Sequence, residues 1–460
     1  MKSLLRQLFA VTTAAVLLFS AHNAMAIPSF AAQTNQPCSA CHVGAFGPQL
    51  KPYGRAFKLY GYVAAEDPKN NDWSQRLTTS LWTSFNQTNK DQTPGGVGYG
   101  PNSNFSLDQV AAYFGGRITP TWGAIQEVSY DGANRAFFWD AMDARHAWTG
   151  EMFGEDYVAG ILFSNQLGNT SIWNSTPPNN FPYNTSRIAN SPAAGTLFDD
   201  SLNGQIFGSG LYLSWNDLLY AETTVYAPLS HNLDQAVGNP QSDTYVSPIP
   251  FWHLAVEHEF DHHQQYVQFG TYGAYAERQP GGDQTTGLRD RVADYGFEAN
   301  YQYMADMHNM WSLHGNFIHE KQYLDASNAL SQSDNPTDYL NTLKADVTYT
   351  IDDTIVPTVG YFRTTGSRDA TLYQNQTGDP NNNGSPASEG FTMDLAYVPF
   401  GKPDSSFNWG NMRLALEYTA YTRFNGTSKN ASDNNVLFAN MVIALAPLVP
   451  ALQHNAGAAQ

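Results

Sequence analysis

Segments in which apolar and polar residues alternate repeat along this chain from about Gln75 to Ala446. One clear pair flanks Asn216-Asp217, and the residues from Leu219 to Tyr226 alternate between two faces. Short Asn, Asp or Gly connections between such segments are hairpin signals. The pattern therefore predicts a long series of antiparallel β-hairpins.

The connections between these segments alternate between short and long. Short turns are expected near 119–122, 150–156, 216–217, 261–264, 305–309 and 352–353. Long polar loops are expected at 88–104, 165–206, 228–249, 278–290, 323–337, 366–388 and 425–434. Short turns on one side and long loops on the other are typical of bacterial outer-membrane barrels, and they predict an antiparallel transmembrane β-barrel of about 16 strands, with about 14 or 18 as alternatives. Two connections fit poorly, because 399–411 is long and 131–134 is short.

The composition agrees with a barrel that crosses a membrane. Charged residues make up 14% of the chain, which also holds 26 Tyr, 26 Phe and 10 Trp; about 25% charged residues is usual for a soluble domain. After Ile27 no window approaches the ~20 consecutive apolar residues of a transmembrane helix. The formal charge of −18 argues against nucleic acid as a partner.

The N-terminus has the pattern of a secretory signal peptide. Lys2 and Arg6 precede an apolar run at 8–19, and Ala24-Met25-Ala26 is a small-residue cleavage site. The run is too short for a membrane anchor. We therefore expect cleavage after residue 26, with the mature chain beginning at Ile27.

The two cysteines of the chain lie in one pentapeptide, Cys38-Ser-Ala-Cys41-His42. CxxCH is the attachment motif of c-type haem, in which both thiols form thioethers to one haem and the histidine is the proximal iron ligand. A thioredoxin-like redox pair, a structural disulfide and half of a zinc site are the alternatives. A redox pair is expected in a βαβ context, and zinc needs a second pair of ligands nearby. We expect one covalent haem c at Cys38, Cys41 and His42.

The segment around the motif does not complete a haem site by itself. Leu50, Tyr53 (or Gly54), Phe57 and Tyr60 recur at helical spacing and predict a short helix over one haem face. Between residues 27 and 73 there is no other histidine and no methionine. A sixth iron ligand must then come from the barrel, the mature N-terminal amine or water, so we expect the barrel to complete the site.

The stretch "PSFAAQTNQPCSACHVGAFGPQLKPYGRAFKLYGYV" resembles the fused outer-membrane cytochrome–porins associated with bacterial iron oxidation. It matches their Pro-x-Phe-Ala, CxxCH and Pro-x-Leu elements and their Gly-Arg-x-Phe-Lys-x-x-Gly-Tyr ending. "FNGTSKNASDNNVLFANM" is also family-like, while the rest of the barrel is similar in architecture. The resemblance implies a monohaem cytochrome that plugs a porin and passes electrons from an extracellular donor, with Fe(II) as first choice, to periplasmic carriers. Haem ligation carries over to Cys38, Cys41 and His42 alone.

These observations predict four regions: a signal peptide at 1–26, a monohaem cytochrome segment at 27–73 that is a plug or a periplasmic cap, an outer-membrane barrel at 74–446 and a tail at 447–460. An even strand number places both barrel ends in the periplasm, so the haem segment enters from that side. The last strand is expected to end near Leu445. A solute porin with a haem-bearing plug and a conduit for a non-iron donor or acceptor are the alternative functions. The chain would be an enzyme only as an Fe(II)-oxidising oxidoreductase.

Three weaker signals accompany the haem motif. His258-Glu-Phe-Asp-His262 fits the HExxH pattern of zinc proteases, but that site needs a helix and the flanking alternation predicts a strand and a turn. Candidates for the sixth ligand, each better explained as an ordinary lumen or turn side chain, are His146, His258, His262, His308, His314, Met142, Met304 and Met307. Asp140, Asp143 and Arg145 are expected in the lumen, where an acidic excess would attract Fe(II); acidic loops without any ligand are the alternative.

Overall fold

The computed structural model describes residues 28–64, 73–92, 98–238, 243–262, 264–306, 308–373, 384–403, 405 and 410–445. The predicted signal peptide, the C-terminal tail, His263 and Met307 lie outside these ranges. No helix in the described ranges is long and apolar enough to cross a membrane.

The described residues form seventeen β-strands joined in one sheet. They are β1 Leu77–Thr88, β2 Asn104–Arg117, β3 Trp122–Asp131, β4 Ala136–Met152, β5 Glu155–Ser164, β6 Ile206–Trp215, β7 Leu219–Pro228, β8 Thr244–Tyr245, β9 Ile249–Phe260, β10 Gln265–Gln279, β11 Asp290–Met304, β12 Met310–Tyr323, β13 Thr337–Thr350, β14 Ile355–Gly366, β15 Ser388–Tyr397, β16 Gly410–Arg423 and β17 Val436–Leu445. The two-residue β8 pairs with the end of β10. The other sixteen strands close into an antiparallel barrel, because β1 pairs with both β2 and β17.

The described ranges also contain six short helices that are not part of the barrel wall. They are α1 Pro28–Thr34, α2 Cys38–Cys41, α3 Pro52–Leu59, α4 Leu197–Asp200, α5 His231–Ala236 and α6 Asp325–Ala329. Single 3₁₀ turns occur at Val43–Ala45, Trp73–Arg76, Pro280–Gly282 and Ala431–Asn434.

The predicted barrel of about sixteen strands is confirmed, and so are the connections. All short turns and long loops occur within a few residues of their expected positions, the long connection before β16 and the short turn before β4 included. The loop between β7 and β9 differs, because it contains α5 and β8. We call the end of the barrel with the short connections the turn end and the opposite end the loop end.

The barrel wall is apolar outside and polar inside. In β15, Phe391, Met393 and Leu395 are 42%, 49% and 55% exposed, whereas Thr392 and Asp394 are buried in the lumen. Exposed aromatic residues mark both rims: Trp148, Tyr303 and Trp311 at the turn end, and Phe105, Phe137 and Tyr339 at the loop end. An apolar outer band between two aromatic girdles is the surface of a barrel that faces lipid.

Candidate cofactor site

The N-terminal segment 28–64, which we call the plug, lies inside the barrel at the turn end. Its basic residues Lys51, Arg55 and Lys58 follow one side of α3 and are all buried. Their polar contacts with the wall are Lys51 Nζ to Asp353 Oδ1 (3.1 Å), Arg55 Nη1 to Gln302 Oε1 (3.0 Å), Arg55 Nη2 to Glu259 Oε1 (3.6 Å) and Lys58 Nζ to Asp143 Oδ2 (3.8 Å). The guanidinium of Arg55 also stacks on the ring of Tyr266. Lumen carboxylates at this level therefore hold the plug.

The inward face of α3 is not the one that contains Tyr53 and Tyr60. Tyr53 and Tyr60 are each 41% exposed, so the Leu50, Tyr53, Phe57, Tyr60 stripe does not cover the site. The Gly54 alternative is correct, because Leu50, Gly54 and Phe57 line the same cavity. The reason is electrostatic: burying the basic side of α3 against an acidic wall turns the two tyrosines outward.

A second segment fills the lumen from the other side. Residues 165–205, which connect β5 to β6 and which we call the infolded loop, bury Trp173, Phe181 and Phe198 inside the barrel. The loop binds the far wall through Trp173 Nε1 to Glu257 Oε2 (3.1 Å), Ser175 Oγ to Glu298 Oε2 (2.8 Å), the Leu197 amide to Glu320 Oε2 (2.6 Å) and Lys344 Nζ to Asp199 Oδ1 (2.7 Å). The lumen is thus occupied from both ends.

Lys58 joins the plug to the infolded loop. Its ammonium donates to the carbonyl oxygens of Asn169 (2.6 Å) and Ser171 (2.8 Å) and to Oδ1 of Asn174 (2.8 Å). Asn174 in turn donates to the carbonyl oxygen of Pro48 in the plug (2.7 Å). Burial lowers the pKa of Lys58 to about 7, and the Asp143 carboxylate opposes that shift. The two inserted segments are therefore bonded to each other inside the barrel.

Between the plug, the wall and the infolded loop lies a cavity of about 690 Å³. The plug contributes an apolar wall that includes Phe30, Phe46, Leu50 and Phe57. Polar wall residues of the cavity, on β2 to β4, are Gln109, Tyr113, Glu127 and Asp140; Gln109 Nε2 donates to Glu127 Oε1 (2.8 Å) and to Asp140 Oδ2 (3.0 Å). Further polar residues of the wall and of the infolded loop complete the lining, so the cavity is apolar towards the plug and polar on the opposite side. A space of this size is typical of a cofactor site.

All three residues of the CxxCH motif line this cavity. Cys38 and Cys41 are free thiols, and burial raises the pKa of both, that of Cys41 to about 11. Redox-active thiol pairs have lowered pKa values, so this environment does not suit a thioredoxin-like pair. Burial lowers the pKa of His42 to about 4, which leaves the imidazole in the neutral, metal-binding form at pH 7. Its Nδ1 is buried without a hydrogen-bond partner in the described chain.

None of the described candidates for a sixth ligand lines the cavity. Within the described residues that line it, His42 is the single histidine and no methionine is present. His308 and His314 are bonded to Asp353 (2.9 Å) and Asp346 (3.0 Å). His146 stacks on Trp122, and His258 packs on Phe260. Met142, Met304 and His262 do not line the cavity either.

The remaining sequence signals have structural explanations. His258 lies in strand β9, not on a helix, which excludes the protease geometry. Asp143 and Arg145 are buried in the lumen as expected and form an ion pair (2.8 Å). The described residues contain no group of three or more His, Cys, Asp or Glu side chains placed to hold a metal ion.

No protein-family model matches this chain, and no curated protein matches it. Among solved structures, the chain is similar to OprB of Pseudomonas putida at high pH, with 12% identity over 80% of this chain and 93% of that chain and a TM-score of 0.46. It is also similar to OmpF of Salmonella typhi in complex with daunomycin (12% identity, 80% and 97% coverage, TM-score 0.42) and to the outer membrane channel DcaP of Acinetobacter baumannii (11% identity, 80% and 96% coverage, TM-score 0.38).

Sequence reasoning missed two groups of site residues. The first is Lys51, Arg55 and Lys58, whose spacing of four and three residues places them on one helix face. The second is the infolded loop, whose bulky apolar residues distinguish it from a solvated loop; the buried ones are Leu167, Ile172, Trp173, Phe181, Ile188, Leu197, Phe198 and Leu202. Both signals are present in the sequence, as a basic helix face and as an apolar loop.

Replacing Gly54 with alanine is expected to loosen the motif. A Cβ at Gly54 would lie 2.5 Å from the carbonyl oxygen of Cys41, so α3 must move away from α2. We expect a loss of about 1–3 kcal/mol in plug stability, measured by hydrogen exchange of residues 28–64. Ala56→Ser, on the exposed face of the same helix, is the control. Equal protection of residues 28–64 from hydrogen exchange in the two variants would contradict the close packing of α3 on the motif.

Proposed function

We propose that this protein is an outer-membrane electron-transfer cytochrome–porin. In this proposal one covalent haem c, held by Cys38, Cys41 and His42, relays electrons from an extracellular donor to periplasmic carriers. The observation that carries the proposal is that all three motif residues line one cavity of about 690 Å³ inside a closed barrel. A haem motif on the surface of a soluble domain would have no such enclosure.

The residues around the cavity fit a covalently bound haem. Haem has a flat apolar ring and two carboxylates, and when bound its iron supplies a one-electron Fe(III)/Fe(II) couple. The two thiols would anchor the ring, and the neutral His42 imidazole would bind the iron. Phe30 and Phe57 would exclude water from the ring. Arg187 and Arg413 are the guanidinium groups of the lining that could bind the carboxylates, in addition to their present ion pairs with Asp131 and Asp394.

The barrel supports the orientation that we propose for this protein in the membrane. Its apolar band and aromatic girdles suit the outer membrane, where short turns face the periplasm. The plug then occupies the periplasmic side, and the infolded loop covers the extracellular side. Fe(II) as the donor comes from the resemblance of the N-terminal stretch to iron-oxidation cytochrome–porins.

Covalent haem content is the direct test of the cofactor. We expect haem stain on the denatured wild-type chain and its loss in the double variant Cys38→Ala/Cys41→Ala, because no thiol remains to form a thioether. Ser39→Ala, which lies between the two cysteines, should keep the stain. Stain that survives in the double variant would show that the motif does not attach haem.

The donor is tested in proteoliposomes. We expect Fe(II) added to the extracellular side to reduce the haem, read in the Soret and α bands, with little passage of small solutes. Haem reduction by other donors but not by Fe(II) would favour a non-iron conduit. No reduction together with high solute conductance would replace the proposal with a solute porin.

A further inference from the structure

The outward face of helix α3 is exposed at the turn end. Tyr53 and Tyr60 are each 41% exposed, and Ala56 between them is exposed as well. In the plug, all three basic residues of this region point the other way and are buried. The plug therefore presents an uncharged, partly aromatic surface where the barrel opens.

This surface lies directly behind the haem motif. The Lys51 amide, just before α3, donates to the carbonyl oxygen of Cys41 (2.8 Å). Gly54 packs so closely on the same carbonyl that a Cβ there would lie 2.5 Å from it. Only the thickness of α3 thus separates the exposed face from the cavity wall that Cys41 helps to form.

The turns around this face are acidic. Seven carboxylates on the turns or on the adjoining strand ends are exposed: Glu151, Glu155, Asp156, Asp217, Asp261, Asp306 and Asp352. Lys402, in the neighbouring connection between β15 and β16, is bonded to Asp352 (2.9 Å). The turn end therefore carries a strong negative charge around an uncharged centre.

The charge reaches the edge of the helix face. Burial, followed by the nearby Asp217 and Asp156 carboxylates, raises the pKa of Tyr60. Asp156 and Asp217 belong to adjacent hairpins, β4–β5 and β6–β7. The acidic group and the exposed tyrosine therefore form one continuous surface.

We propose that the exposed face of α3, ringed by these carboxylates, docks a soluble electron carrier whose contact face is rich in lysine. The inference rests on the proposed function and adds the chemistry of the partner. Opposite charges steer a partner to the surface and fix its orientation. The uncharged centre lets the two proteins approach closely without burying unpaired charges, and it brings the carrier to the side of Cys41.

The test compares two variants that have the same net charge. Both are the full haem-loaded chain in non-ionic detergent. Glu155→Gln/Asp156→Asn/Asp217→Asn neutralises the surface beside Tyr60. Asp91→Asn/Asp283→Asn/Asp325→Asn neutralises three carboxylates at the loop end. Each protein is reduced with dithionite and mixed by stopped flow with a lysine-rich c-type cytochrome, or with the same cytochrome after lysine acetylation.

At low ionic strength we expect the turn-end variant to react roughly tenfold more slowly than the wild type and the loop-end variant to react like the wild type. The difference should vanish near 1 M salt, where the Debye length is about 3 Å. Acetylation should slow the reaction with the wild type by a similar factor. Equal rates for the two variants, or no effect of acetylation, would overturn the docking surface. Absence of a reducible haem would overturn the proposed function instead, and the inference with it.

Discussion

Removing the plug and shortening the infolded loop together are expected to turn a poorly conducting barrel into an open channel. Deletion of residues 28–64, combined with replacement of 166–204 by a short Gly-Ser linker, empties the lumen from both ends. A barrel of sixteen strands is wide enough for an aqueous channel. We expect single-channel conductance in planar bilayers to rise at least roughly tenfold over the wild type, with smaller increases for either change alone.

The open channel is also expected to prefer cations. Deleting the plug removes Lys51 and Arg55, which now bind Asp353 and Glu259, so the wall carries unpaired negative charge. The preference is read from the reversal potential in a salt gradient. Shortening the loop at 280–289, which is mostly exposed outside the lumen, is the control and should change neither quantity. A wild-type conductance equal to that of the double variant would show an open path beside the plug and favour the solute porin.

The second large effect is expected from Lys58→Met. Methionine has nearly the same length, but it leaves the carbonyl oxygens of Asn169 and Ser171 buried without their donor. Unsatisfied buried acceptors of this kind should destabilise the docked plug by about 3 kcal/mol. A loss of this size corresponds to roughly hundredfold faster hydrogen exchange of the amides in the plug and in residues 169–174.

Lys90→Met provides the matched comparison for this substitution. The Lys90–Asp433 pair (3.0 Å) has side chains that are 67% and 37% exposed, and such pairs contribute less than about 1 kcal/mol. We expect exchange in the plug and in residues 169–174 to stay unchanged in this variant. If Lys58→Met also leaves both regions unchanged, the contact between the plug and the infolded loop does not hold either segment in place.

The barrel was predictable because its signals are local. Each hairpin can be recognised from the alternation of its strands and from a short turn such as Asn216-Asp217. Asn216 and Asp217 adopt the positive φ values that Asn and Asp tolerate. The lipid environment strengthens the signal, since every strand needs an apolar outer face. Leu219 to Tyr226 therefore alternates between outside and lumen as its sequence indicates.

The positions of the plug and of the infolded loop inside the barrel could not be predicted in the same way. The contacts of Lys58 with Asn169 and Ser171 join residues more than a hundred positions apart, and no local pattern specifies them. Helix α3 illustrates the difficulty: its periodicity predicted the helix but not its orientation, because its basic side chains are buried against the wall and the two tyrosines face outward. The CxxCH motif could be recognised because its residues lie within five consecutive positions, and the haem that it indicates stays a prediction.

The position of the plug has a consequence for the order of biogenesis. Residues 28–64 precede all seventeen described strands, yet their contacts are spread around the wall: Lys58 with β4, Arg55 with β11 and Lys51 with the turn after β13. Ser39 reaches still further, to the carbonyl oxygen of Gly401 between β15 and β16. No partly built sheet offers these partners together. We therefore expect the part of the chain that is synthesised before the barrel to reach its final position last, when the barrel closes.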